Sequence, residues 1–210
     1  MTNVLPDATK NALLDSAVAG GLLTTPFLSL HTGFPPAGGN EVTGGSPAYA
    51  RKSITWNAAA AGSKSIAAAQ TFDVPATTVR AVATYDASTA GTQKAWSPAG
   101  ASARRAFDVT AAGVTANTID SPAHGLVAGN SVIVWATIGA ALPTGLAEDT
   151  EYFVIAAGLT ADVFSLSTTL GGSAIDITAI GDGDIQKFTP EVFAAQGTYQ
   201  VSAFTVSLPG

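Results

Sequence analysis

Apolar and polar positions along this chain change places over short distances, and only the beginning carries a helical period. Ala8, Ala12, Leu13, Leu14, Ala17 and Val18 recur at the spacing of one helix face, which predicts a helix over Asp7–Val18. Asp7 can cap it, because a carboxylate accepts from the free amides of a first turn, and Gly20-Gly21 supplies the stop. Beyond that point the period drops towards two, the signature of strands with one buried face. Phe27–Thr32, Tyr49–Trp56, Ser65–Val74 and Val79–Tyr85 read as strands, with a turn at Ala87–Gly91. Pro35-Pro36, Gly38-Gly39 and Gly44-Gly45 break any regular element between the first two, so Gly33–Pro47 is predicted to be a long loop.

The pattern changes near Phe107. Phe107–Val109, Thr118–Asp120, Ser131–Trp135, Glu151–Ile155, Val163–Ser167 and Ala174–Thr178 are short strand-like runs at the close spacing of an all-β module. Gly181-Asp182-Gly183-Asp184 follows as a polar hairpin turn, and Gly197–Leu208 is a last alternating strand. These elements predict an all-β protein in two parts, with one short N-terminal helix.

Composition narrows what such a protein can do. Hydrophobic residues make up 47% and charged residues 11% of 210, and much of the apolar share is alanine, which buries little area. A surface with so few charges lacks mutual repulsion and suits close packing against other subunits. Net charge is −6, and Arg51-Lys52 and Arg104-Arg105 are the only adjacent basic pairs, so no nucleic-acid groove is expected. No apolar run approaches the roughly 20 residues that span a bilayer. The first 21 residues carry Asp7 and Asp15 and lack the layout of a secretion signal. With no cysteine, neither a disulfide nor a thiolate metal site is available.

The candidate chemistry is sparse. His31 and His124 are the two histidines, one at a strand end and one in a Pro-Ala-His-Gly turn, and they read as structural rather than as zinc ligands. Gly181–Asp184 lacks the later glutamate of a calcium loop, and Glu148, Asp149 and Glu151 read as a solvated rim. No nucleophile elbow, phosphate-cradling loop or dinucleotide turn is present, so no enzyme activity and no cofactor is expected. The glycines around Asn40, with Arg51-Lys52, offer either an anion site or an arm that lies on a neighbouring subunit. The arm is favoured, since no helix follows and Glu41 opposes phosphate. Candidate assembly contacts are Phe34, Pro35, Pro36, Glu41, Tyr49, Arg51 and Trp56. Trp56, Trp96 and Trp135 read as core or interface anchors, with Trp135 the candidate for surface contact in the second part.

Leu28-Ser29-Leu30-His31-Thr32-Gly33, Asn40-Glu41-Val42-Thr43-Gly44-Gly45 and Tyr49–Trp56 together resemble phage tail-fibre or minor tail proteins, especially of actinobacteriophages. Thr71-Phe72-Asp73-Val74-Pro75, Ala83-Thr84-Tyr85-Asp86-Ala87 and Phe193–Tyr199 continue the resemblance. It covers residues 1–104 and 189–210. Residues 105–188 look like an inserted β module, similar to one in several phage fibre and surface proteins.

The resemblance implies a virion structural protein, made in the host cytoplasm. Residues 1–104 with 189–210 would form a β-sandwich or jelly-roll-like unit that anchors to the particle. Residues 105–188 would form a small antiparallel β-barrel or sandwich facing outward. The expected partners are further copies, as a homotrimer, other phage structural proteins and the host surface. Capsid decoration is the alternative station on the particle, and a carbohydrate-active enzyme is the third reading.

Overall fold

A computed structural model of the chain describes residues 5–16, 26–36, 39–137 and 140–208. The fold is all-β. The first segment carries α1 (Asp7–Asp15), β1 (Phe27–His31), β2 (Lys52–Ser53), β3 (Ser63–Ser65), β4 (Gln70–Val74), β5 (Thr77–Val79), β6 (Ala81–Tyr85) and β7 (Gln93–Pro98). The middle carries β8 (Arg105–Val109), α2 (Ala111–Ala116), β9 (Ile119–Asp120), β10 (Ser131–Trp135), β11 (Tyr152–Val154), β12 (Val163–Phe164), β13 (Leu166–Ser167) and β14 (Gly181–Phe188). The last carries β15 (Glu191–Phe193), β16 (Gly197–Val201) and β17 (Thr205–Ser207). Two compact units result, one of residues 1–97 with 191–210, the other of residues 98–190.

In the first unit, β2-β1-β6-β7 form a four-stranded sheet in which β1 runs antiparallel to both β2 and β6. β1 and β6 lie at its centre and are buried on both faces, so Leu28 and Leu30 point one way while Ser29 and His31 point the other. The closing strands pair with early ones. β17 pairs with β3, β16 with β4 and β15 with β5. Ser63↔Ser207, Val74↔Gly197 and Val79↔Glu191 hold one antiparallel register to within a single residue, so the three ladders are one interrupted ribbon.

The second unit is a seven-stranded antiparallel sheet, ordered β12-β9-β8-β14-β10-β11-β13. Its two edge strands are neighbours in the chain with only Ser165 between them. The sheet must therefore curl until its edges meet, which makes it a near-closed barrel. Inside lies one apolar core that includes Phe107, Val109, Ile119, Val132, Val134, Phe164, Leu166, Ile177 and Ile185.

Several elements depart from the sequence reading. Asp7 does not cap α1. Pro6 holds the cap position with no side-chain bond, and the Asp7 carboxylate lies 3.8 Å from Lys10 instead. The helix ends at Asp15; Ala17, Val18 and Gly20-Gly21 lie outside the described residues. Its predicted apolar face is also turned about. Leu14 and the Lys10 stem are buried, while Leu13, Ala8 and Ala12 face outward. The reason is polar docking. Asn11 Oδ1 accepts from Gly62 N–H at 2.9 Å, and Asp15 accepts from Ala59 N–H and pairs with Lys64 at 2.6 Å.

A second helix, α2, was not legible as such: Thr110 caps it, accepting from Gly113 N–H at 3.1 Å, and Asn117 ends it in the left-handed region. Tyr49–Trp56 contributes only the two-residue β2, and Ala174–Thr178 joins no ladder, although Ile177 is buried. Gly181–Asp184 is not a turn. It opens β14, the central strand of its sheet. Gly183 is required there by packing, since a Cβ would meet the Trp135 carbonyl oxygen at 2.6 Å and the Phe107 ring at 2.7 Å. Gly183→Val should accordingly lower the stability of this unit by roughly 1 to 3 kcal/mol in urea unfolding, because backbone cannot move aside as a side-chain tip can. An unchanged midpoint would show that the strand has room to shift.

Candidate functional site: the Arg51 cluster and the exposed helix face

Arg51 organises a cluster in the first unit that brings together three of the predicted contact residues, Glu41, Tyr49 and Arg51 itself. Its guanidinium donates to both Glu41 oxygens, Nε to Oε1 at 2.9 Å and Nη2 to Oε2 at 2.7 Å. Nη1 donates to the carbonyls of Ala87 and Ala90 at 2.8 and 2.6 Å. Its carbon centre sits 3.7 Å from the centroid of the Tyr85 ring. This fork geometry is what a planar guanidinium provides and an ammonium does not. Tyr49 joins by donating its hydroxyl to Glu41 at 3.2 Å and accepting from Leu30 N–H at 2.8 Å. Burial holds the Tyr49 phenol far above its ordinary range.

The network explains the long loop. Described residues of Gly33–Pro47 fold back on their own sheet. Thr32 N–H donates to Asn40 O, Val42 N–H donates to Leu30 O, and His31 pairs with Glu41 as an isolated bridge. Gln196, from the closing segment, secures the turn by accepting from Ser46 N–H and donating to Pro47 O. The rival anion-site reading loses one of its two cations, because Arg51 is already satisfied by Glu41 and two carbonyls.

The remaining predicted residues are dispersed. Phe34 packs against Trp96 with centroids 5.4 Å apart, Pro35 is exposed and Pro36 is buried. Trp56 meets Phe204 edge to face at 6.4 Å. In the second unit, half-buried Trp135 carries the Arg104 guanidinium 3.8 Å from its ring centroid. Sequence reasoning missed Tyr85, and it did not connect His31 to the cluster, although the two-residue phase of β1 places Ser29 and His31 on one face. At α1 and the residue leading into it, this unit exposes a group of apolar side chains, Leu5 at 45% and Leu13 at 54%, beside Ala8 and Ala12. Among the described residues, no group of three metal-ligating side chains comes together, and no helix is long and apolar enough to cross a membrane.

His31 is fully buried, stacked on Tyr85 at 5.9 Å, with Nε2 2.8 Å from the Ser29 hydroxyl. Nδ1 makes no hydrogen bond of ordinary geometry, although the Pro36 carbonyl is near enough to favour the charged ring slightly. Burial dominates and pushes the imidazole pKa down to about 4, with nearby Glu41 opposing. A histidine depressed in this way is neutral when folded, so the unfolded chain binds the extra proton between its ordinary pKa and about 4. Stability should therefore fall as pH drops from about 6.5 to 4, by about 3 kcal/mol in all, and this contribution should not grow further below. Thermal unfolding across that window reads it, and His31→Gln should remove this part of the slope. Parallel profiles for the two proteins would show that the ring titrates normally.

The family model of the podophage GP4 fiber I protein gp80 matches residues 5–120, more than half of the chain, and the match takes in α1 and the whole Glu41–Tyr49–Arg51 cluster. No curated protein and no solved structure matches. The chain thus belongs to the podophage GP4 fiber I protein gp80 family, and is a phage fibre protein, a structural component of the virion.

Proposed function

We propose that this chain works by multimeric assembly as a tail-fibre component of minor-tail type, without catalysis or a cofactor of its own. In this reading residues 1–97 with 191–210 join the particle, and residues 98–190 are displayed towards the host surface. The observation that carries it is the outward apolar face of α1. A helix that docks through Asn11 and Asp15 while Leu5, Ala8, Ala12 and Leu13 face water leaves an apolar stripe that a second copy can cover. Phage fibres commonly use threefold symmetry, and a homotrimer is the proposed state. The internal spending of Glu41 and Arg51 on one another supports a structural role for the cluster rather than a reactive one. The resemblance to actinobacteriophage minor tail proteins supports the same station.

Quantitative mass spectrometry of purified particles tests the assignment. The chain should be present in low copy number, far below that of the coat protein. Abundance close to that of the coat protein would place it on the capsid as a decoration protein. Absence from particles, together with release of sugar from host polysaccharide by the soluble chain, would replace the structural reading with an enzymatic one.

A further inference from the structure

Within the second unit, a cavity of about 290 Å³ opens at one rim of the curled sheet, between β8, β14 and the turn that carries His124. Arg105 and Lys187 both line it, with Ser102, His124, Leu126 and Ile185, and no carboxylate does. Strand geometry explains how two cations reach this place. Arg105 is the register partner of Ile185 and shares its phase with the buried Phe107 and Val109. Lys187 lies two residues beyond Ile185 on the same face. Both cations thus occupy the core-facing phase of their strands, where an apolar residue is expected, at the point where the core ends.

Charge makes this unusual. Residues 98–190 hold nine carboxylates, Asp108, Asp120, Glu148, Asp149, Glu151, Asp162, Asp176, Asp182 and Asp184, against three cations, Arg104, Arg105 and Lys187. Arg104 is occupied by Trp135. Neither of the other two makes an ion pair or a side-chain hydrogen bond among the described residues, although acidic partners are plentiful in the unit. Beside them His124 is 5% exposed, and its Nδ1 accepts from Leu126 N–H at 2.9 Å, which leaves the proton on Nε2. Nε2 has no hydrogen-bond partner, and the ring meets Phe164 edge to face at 5.1 Å. Two uncompensated cations at one rim repel each other, and a bound oxyanion relieves that repulsion while accepting their donors.

We infer that this rim pocket binds a small oxyanion, a carboxylate or phosphate borne on a group of about monosaccharide size. The volume sets the upper size, being at the low end of small-molecule sites. The inference stands on residues 98–190 alone and does not depend on how the chain assembles.

Calorimetric titration of the full chain with inorganic phosphate, with glucuronate and with uncharged glucose tests it. At least one of the two anions should bind saturably, glucose should not, and Arg105→Gln with Lys187→Gln should weaken the anion by about tenfold or more. Tighter phosphate binding would assign a phosphate-bearing ligand, and tighter glucuronate binding a carboxylate-bearing one. Should the double variant lose its cooperative melt, Arg105→Gln alone serves, since that residue is exposed, and it should still weaken the anion. No saturable binding of either anion, equal binding of glucose, or affinity unchanged in folded variants would overturn the inference.

Discussion

The first unit is complete only when residues 191–207 have paired with residues 63–79 across everything between them. That ribbon supplies the partners of β3, β4 and β5, none of which pairs with another of the early strands. Closing so long a loop costs entropy, though the cost grows slowly with length. The second unit reduces it by its own design. Thr189 N–H donates to Ala99 O at 3.0 Å and Ser102 N–H donates to Lys187 O at 2.8 Å, so this unit holds its own entry and exit together. Once folded, it joins two nearby points, as a short loop does. This is the condition under which one domain can sit inside the sequence of another.

The same economy governs the charges. Few ionic groups are present, and the best-formed pairs hold segments in place. Arg51 and Glu41 fasten the long loop, while Lys64 and Asp15 fasten α1. Because α1 is fastened by its polar side chains, its apolar side is left outward. Sparse surface charge and an exposed apolar stripe favour association with like surfaces. The proposed role in an assembly rests on this arrangement and on membership of a phage fibre family.

Strands with β-branched or alternating character were legible in the sequence. Ser131–Trp135 matches β10 residue for residue, and the Gly197–Leu208 run contains β16 and β17. What escaped was decided by partners far away in the chain. Gly181–Asp184 has turn composition, yet it is a strand because Phe107 fills the space that its glycine leaves. The stripe of α1 was read correctly as a stripe but placed on the wrong side, since nothing local says that Gly62, Ala59 and Lys64 will claim Asn11 and Asp15. In the Arg51 cluster, Glu41, Tyr49 and Arg51 were singled out, but their meeting with Tyr85 depends on the β1–β6 register. The phase of Arg105 with Phe107 was visible in the sequence. Its significance came only with the pairing of Arg105 to Ile185, which brought Lys187 to the same rim.

The chain is proposed to act as one subunit of an assembly of identical chains. Sedimentation velocity of the purified full-length protein, repeated over a wide concentration range, measures this most directly. A single discrete oligomer with the mass of three chains is expected, dissociating when Leu13 is replaced by aspartate. A wild-type chain that sediments as a monomer throughout would contradict it.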